Sequence, residues 1–359
     1  MKRKMKRTPK VSVIIPAYNV DRFIGRAIES LQNQTLGDFE LLIVDDGSTD
    51  RTGQVADRMA ERDIRIDVIH TKNRGAAAAR NTALDRAQGE YVHFVDGDDW
   101  VEPAMLADLV SLADEHDLDL VIAGFYIETY YGKGDQHTSE LKNQPSQVFA
   151  TREEFRSAAW RLFDTNLLYT PWNKLIRRSY IEKCHVRFKP TFWDDFPFVL
   201  DLVRDIERVA VTDRAYYHFI RLRAESETSK WRPNMYEKRE EEHGWMLDLY
   251  EHWGLAGDPL SAEMIQRRYI ERLVGCIENL CEPSCTLTGA EKRALAEQMI
   301  NSERTQLALS VARPKSRMME LMLMPIRAKN AALALAEGQL ISFVKRHNTK
   351  LFATLKANR

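Results

Sequence analysis

Through the first 125 residues, short apolar runs alternate with segments whose apolar positions recur every three or four residues. Val11-Ser-Val-Ile-Ile15 has the length and β-branched content of a covered strand. Phe39-Glu-Leu-Leu-Ile-Val44, Ile66-Asp-Val-Ile69, Tyr91-Val-His-Phe-Val95 and the run 118–123 repeat that pattern. Between them, residues 21–34 place Phe23, Ala27, Ile28 and Leu31 on one helical face. Further helices are predicted after Val44 through Met59, over 75–87, and from Pro103, a residue suited to a first turn. Strands alternating with helices predict an α/β fold: a mostly parallel, doubly wound, Rossmann-like sheet with right-handed crossovers.

The pattern then changes twice. Residues 126–146 are polar, contain Gly132, Gly134 and Pro145, and predict a hairpin or mobile loop. Helices are expected over 152–163, 174–183 and 196–204, and a strand over 215–221. After Pro233 nearly everything has helical spacing, broken near Asp258-Pro259, Glu282-Pro283 and Arg313-Pro314. The expected organisation is a basic tail over 1–9, an α/β domain over 10–232 and an α-helical region over 233–359 that ends in a basic amphipathic tail.

Composition narrows the class. With 44% hydrophobic and 29% charged residues, the 359-residue chain reads as a globular protein with a real core. A formal net charge of -1 argues against a dedicated nucleic-acid binder. Both ends are basic, however. Residues 1–7 carry five Lys or Arg and no acid, and residues 313–359 carry ten against two Glu, a net +8. No signal-peptide core follows the basic start, and no run approaches the roughly 18 apolar residues of a membrane span. Of Cys184, Cys276, Cys281 and Cys285, the last three lack metal-finger spacing and a nearby His, and buried free thiols are expected. A cytoplasmic location is expected, with peripheral contact to the inner membrane face through 313–359. There Leu340, Val344, Leu351 and Leu355 recur among Lys345, Arg346, Lys350 and Lys356. The same helix also suits a homo-oligomer interface or packing within the chain.

The chemistry concentrates at strand ends. Asp96-Gly97-Asp98-Asp99 closes the strand that begins at Tyr91, where open α/β sheets place their ligands. Carboxylates so crowded repel one another unless a cation sits among them, and hard oxygen ligands suit Mg2+ or Mn2+. The alternative is a solvated turn with Asp99 capping the next helix. Asp45-Asp46-Gly47-Ser48-Thr49-Asp50 follows the second strand and offers acceptors to a nucleobase or ribose, or simply joins strand to helix. Asn73-Arg74-Gly75 leads into four alanines and Arg80-Asn81; Arg80 is suited to a diphosphate, or to an ion pair.

Together with Val11 to Asn19, these segments resemble the family 2 glycosyltransferases with a GT-A fold. Order and spacing match over about residues 10–125, with Ala83 standing where many relatives carry glycine. The resemblance implies that Pro16, Ala17 and Tyr18 line a nucleotide pocket, that Asp46 binds the base, and that Arg80 lies near the diphosphate. It also implies that Asp96 and Gly97 touch the donor and that Asp98 holds Mn2+ or Mg2+, with Asp96, Asp99 and His218 as alternative ligands. Thr170-Pro-Trp-Asn-Lys174 is similar to a segment of the bacterial capsule, exopolysaccharide and teichoic-acid branch. Phe192-Trp-Asp-Asp-Phe-Pro-Phe198 matches the site of the general base, with Asp194 replacing the usual Glu and Asp195 in the base position. Aromatic neighbours around a carboxylate would desolvate it and raise its basicity, although Asp194 or Asp195 also suits a helix N-cap. His218 also suits a structural imidazole in its strand, and Arg221 or Arg223 suits a phosphate or a salt bridge.

The expected activity is inverting, metal-dependent sugar transfer from a nucleotide-sugar donor, UDP-linked, to a hydroxyl of a surface-glycan or lipid-linked acceptor. A non-catalytic, nucleotide-sugar-binding subunit that recruits a partner at the membrane is the alternative.

Overall fold

The computed structural model of the protein describes residues 8–130, 136–222 and 231–347. These fall into two compact units, one built from residues up to 129 and 137–221, the other chiefly from the helices that follow. The basic start over 1–7, Arg223 and the end of the chain from 348 lie outside the described residues.

The first unit runs β1 (Val11–Ala17), α1 (Ile24–Gln32), β2 (Phe39–Asp45), α2 (Thr52–Ala60), β3 (Ile66–His70), α3 (Ala76–Leu84), β4 (Tyr91–Phe94), β5 (Trp100–Val101) and α4 (Met105–Glu115). It continues with β6 (Leu120–Tyr130), β7 (His137–Lys142), β8 (Gln147–Val148), α5 (Arg152–Asp164), β9 (Lys174–Arg177), α6 (Arg178–Lys183), α7 (Asp195–Val203) and β10 (Val209–Leu222). The sheet order is β3-β2-β1-β4-β9-β6-β10-β5, with β7 added to β6 and β8 to β10. β3, β2, β1 and β4 are parallel, as the strand–helix alternation predicts. All seven residues of β2 are buried, the mark of a strand covered on both faces. The register pairs Ala17 with Asp45 and Ile14 with Phe94, so the chain leaves β1, β2 and β4 along one edge. That edge is where Tyr18, Asp46 and Asp96 emerge.

Three local expectations are corrected. Residues 174–183, predicted as one helix, are β9 followed by the short α6. β9 is antiparallel to both β4 and β6, and pairing in the middle of the sheet overrides the local helical spacing. Trp100 and Val101 form β5, antiparallel to Tyr217 and His218 of β10, so the acidic turn after β4 leads back into the sheet and not directly into a helix. Cys184 is exposed where a buried thiol was expected; Cys276 is buried, and Cys281 and Cys285 are half-buried. In the polar stretch, β7 pairs with β6; Gly132 and Gly134 lie outside the described residues.

The second unit contains α8 (Met235–His252), α9 (Pro259–Leu280), α10 (Gly289–Asn301), α11 (Glu303–Val311), α12 (Arg317–Arg327) and α13 (Ala331–His347). α9 is its spine and packs against the other five. Asp258 caps it through the Ser261 N–H, with Pro259 in the first turn, so this proline starts a helix. Tyr269, Leu273 and Ile277 of α9 meet Met299, Met322 and Leu323 in the core. Among the described residues no helix is long and apolar enough to cross a membrane.

The start of the central strand β1 depends on a close backbone approach at Gly89, where an added Cβ would lie 2.4 Å from Ser12 N. The neighbouring atoms are strand backbone and cannot swing aside. Gly89→Ala is therefore expected to lower stability by roughly 1–3 kcal/mol in denaturant melts; an unchanged midpoint would show that β1 can shift freely.

Candidate active site

Arg80 projects from α3 and is only 5% exposed. Its guanidinium meets three carboxylates: Nη2 donates to Asp96 Oδ1 at 2.8 Å, and Nη1 donates to Asp194 Oδ2 at 3.1 Å and lies 3.1 Å from Asp195 Oδ1. The Asp195 contact is ionic only, because that oxygen has no hydrogen-bond partner. Burial works against the charge of Arg80, yet Asp195, Asp96 and Asp194 together hold its pKa above the usual arginine range. The guanidinium also lies over the ring of Phe188, 5.1 Å from its centroid. Phe188 is fixed by the next residue of α3: Asn81 donates to its carbonyl at 2.8 Å and accepts from its N–H at 3.0 Å. Arg80-Asn81 is thus a two-residue clasp between α3 and the segment leading to α7.

Asp195, the first residue of α7, carries the most suggestive electrostatics. Burial pushes its pKa up, Arg80 opposes the shift, Asp96 and Asp194 reinforce it, and the result is about 7. Asp194 moves the same way, also through burial against the pull of Arg80. The alternative role, N-capping, is not taken up, since no side-chain cap bond is made at the start of α7. Trp193, immediately before, holds a left-handed backbone (φ 58°), the turn that brings both aspartates inward.

The Asp96–Asp99 run divides into two parts. Asp99 is fully buried and commits both oxygens: the Tyr217 hydroxyl donates at 2.6 Å and the Ile220 N–H at 2.7 Å. The same Tyr217 oxygen accepts from the Asp96 N–H at 3.0 Å. Asp99, expected as an alternative metal ligand, is instead the brace that ties the acidic turn to β10. Burial, then Asp98 and Asp96, raise its pKa well above the carboxylate range. Asp98 is pushed up to about 6 by burial and by Asp96. A buried carboxylate destabilised by its neighbour is the condition a divalent cation relieves, and Mg2+ or Mn2+ needs only one or two such ligands besides substrate phosphates. Asp98 and Asp96 are the carboxylates on this turn that would hold such an ion, although among the described residues no group of three or more His, Cys, Asp or Glu is arranged around one point. Gly97 packs closely: an added Cβ would meet the Val20 side chain at 3.2 Å and the Pro16 carbonyl at 3.4 Å.

His218, the other alternative ligand, has both ring nitrogens occupied. Nδ1 lies 2.9 Å from Glu128 and Nε2 3.1 Å from Glu102, and the ring stacks on Trp100 at 3.6 Å and Tyr126 at 4.8 Å. It is built as a structural imidazole and as arranged leaves no nitrogen for a metal.

Where β1 and β2 end, Asp46 N–H donates to the Ala17 carbonyl at 2.9 Å and joins the two strands. The Asp46 carboxylate accepts from Gly75 N at 2.7 Å and from Arg74 N and Thr71 Oγ1 at 3.0 Å. It therefore shapes the loop before α3, and any base it binds shares oxygens already in use. Gly47 adopts φ 72°, and a Cβ there would come within 2.7 Å of Asn73 N. Tyr18 is 47% exposed, whereas Ala17 is buried and Pro16 half-buried beyond the β4 pairing.

Sequence reasoning missed the support beneath these residues. Lys174 is fully buried and donates to the Leu167 and Thr170 carbonyls, both at 2.5 Å, and to Asn173 Oδ1 at 2.8 Å. Burial pulls its pKa well down and Asp195 partly restores it; three acceptors match the three N–H bonds of the ammonium. Its carbonyl is 2.8 Å from Nδ1 of the buried His93, whose pKa burial lowers to about 4. Trp172 stacks on Tyr217 at 4.2 Å, linking the Trp-Asn-Lys segment to the Asp99 brace. The residue types were visible; the cross-sheet pairing that unites them was not.

A parallel sheet whose C-terminal edge carries these aspartates, continued by antiparallel strands, is an α/β architecture of the GT-A type. The profile described as Glycosyl transferase family 2 matches residues 12–184. The uncharacterised glycosyltransferase EpsJ of Bacillus subtilis (strain 168) is 36% identical over 251 residues, 69% of this chain and 72% of that one. The chain belongs to the family 2 glycosyltransferases. Its fold is similar to that of S. aureus TarS in a complex with UDP (TM-score 0.60, 20% identity, 94% of this chain and 93% of that one). A mannosyltransferase from Pyrobaculum calidifontis, in complex with GDP-Man and Mn2+, aligns at a TM-score of 0.50 with 17% identity over 96% of this chain and 89% of that one.

The brace gives a direct test. Tyr217→Phe deletes one hydroxyl and leaves a buried carboxylate short of a donor, which costs about 1–3 kcal/mol. Denaturant melts should show that loss; no change would mean that Asp99 is held by the Ile220 N–H alone.

Proposed function

We propose that this glycosyltransferase is inverting and metal-dependent, and that it transfers a sugar from a UDP-linked donor to a hydroxyl of a surface-glycan or lipid-linked acceptor. The observation that carries the reading is the shared guanidinium. Arg80 holds the raised-pKa carboxylate of Asp195 and the donor-side carboxylate of Asp96 on opposite arms. A general base and a leaving-group site must face the same anomeric carbon from opposite sides, and one rigid planar fork sets that separation.

In this reading Asp195 accepts the proton of the acceptor hydroxyl. The oxygen attacks the anomeric carbon, and the bond from that carbon to the donor diphosphate breaks, its electron pair leaving with the nucleoside diphosphate. Attack from the face opposite the leaving group inverts the centre. A pKa of about 7 suits this role, because a base works best when its pKa lies near the working pH. Pro16, Ala17, Tyr18 and Asp46 would receive the nucleotide, Gly97 would let the donor approach the β4 turn, and Arg80 would lie beside the diphosphate. A divalent cation on Asp98, with Asp96 beside it, would offset charge developing on that diphosphate. The uridine assignment draws on the TarS complex with UDP, and the metal on the Mn2+ of the Pyrobaculum enzyme.

Asp195→Asn should lower kcat by about 10²–10⁴-fold, the range of general-base catalysis, while calorimetric UDP binding persists. Retained transfer in a folded Asn variant would remove Asp195 from the mechanism. The pH profile follows from the sign of the shift. Asp195 acts as the anion, so kcat/KM should fall about tenfold per unit below an apparent pKa near 7, and level off above it. A profile flat from pH 5 to 8 would contradict the assignment. Asp98→Ala should abolish the dependence of UDP affinity on Mn2+; tighter binding of GDP than UDP would overturn the donor assignment but leave the base intact.

A further inference from the structure

Helix α13 is apolar on two opposite faces. One packs inward: Ala331, Ala334 and Ser342 are buried, and Gly338 sits against α9, where a Cβ would come within 3.0 Å of Cys281 Sγ. The other consists of Leu333, Ala336 and Leu340 at helical spacing, and Leu333 and Leu340 are 53% and 62% exposed. The adjoining α12 repeats the arrangement, with Met322, Leu323 and Ile326 buried and Leu321 and Met324 each 57% exposed on the opposite side. Single exposed leucines are ordinary on a protein surface; four large apolar side chains on two neighbouring helices are not.

Charge identifies what covers them. Arg317 and Arg327 at the two ends of α12, Arg313 and Lys315 just before it, and Lys329 in the turn before α13 are exposed, and residues 313–359 carry a net +8. A symmetric contact with a second copy would bring two such segments together and oppose itself. An anionic lipid surface accepts both features at once, apolar side chains below the headgroups and cations among the phosphates. We propose that the exposed faces of α12 and α13 form a peripheral docking surface for an anionic membrane. The stripe differs from the one expected from sequence: Leu340 belongs to it, Val344 is half-buried, and Leu351 and Leu355 lie outside the described residues. The proposal is independent of the donor and of the catalytic base.

Flotation of the full chain with vesicles tests it. Vesicles of phosphatidylcholine containing phosphatidylglycerol should bind the protein at least about tenfold more strongly than phosphatidylcholine alone, and about 1 M salt should weaken the binding. Leu333→Glu with Leu340→Glu, and separately Leu321→Glu with Met324→Glu, should each reduce binding about tenfold or more while UDP affinity stays unchanged. All four positions are exposed, so the fold should survive, and the unmutated chain alone decides the lipid dependence. Absence of binding to anionic vesicles, equal binding to neutral ones, or unaltered binding of both variants would overturn the proposal. Self-association of the unmutated chain that either double variant abolishes would assign the surface to a second copy instead.

Discussion

The site is organised around one buried cation. Three carboxylates from two distant parts of the chain could not be brought this close without a compensating charge, and the Arg80 guanidinium supplies it. Its planar fork also fixes direction: one arm reaches the turn after β4, the other the start of α7. A lysine would carry the same charge without that geometry. Even with Arg80 in place the compensation is incomplete, since Asp194 and Asp195 keep raised pKa values. The fold thus retains a carboxylate that is costly to ionise, a state more useful for accepting a proton than for holding the chain together.

The clasp works because its surroundings are rigid. Asn81 fixes Phe188 through two backbone hydrogen bonds, and Phe188 stacks on Phe198 of α7 at 3.9 Å while meeting Phe94 of β4 edge-on at 5.2 Å. The aromatic cluster locks together the same three elements that Arg80 joins electrostatically. Beneath the acidic turn, Tyr217 links Asp96 to Asp99 and stacks on Trp172. Mobile carboxylates would relax away from one another; these are pinned, so their mutual repulsion persists as shifted proton affinity.

What the sequence discloses and what it conceals divide along the distance between partners. The parallel half was legible because each strand there is a local apolar run, and each candidate aspartate follows its strand directly. β9 was concealed because Lys174-Leu-Ile-Arg177 is too short to declare its own structure, and only pairing with β4 and β6 makes it a strand. The division between Asp98 and Asp99 was concealed for the same reason. Adjacent identical residues differ only in what β10 presents to them, and Tyr217 lies 118 residues further along. The Phe-Trp-Asp-Asp-Phe run announced a desolvated carboxylate through its neighbours, but nothing local revealed that Arg80 would face it.

The two units meet the cost of exposure in opposite ways. In the first, polar groups are drawn inward: Lys174, His93 and Asp99 are buried, and each finds a fixed partner. In the second, apolar groups are left outward on α12 and α13, although α9 offers a core that could have been enlarged to receive them. Neither arrangement is the most stable choice for its unit. Burying a lysine among carbonyls costs desolvation that a methionine would avoid, and exposing leucines forgoes burial that a polar residue would not need. The first departure coincides with the candidate catalytic edge. Reading the second in the same way, as a surface shaped for a phase other than water, extends to α12 and α13 the logic by which the aspartates were found.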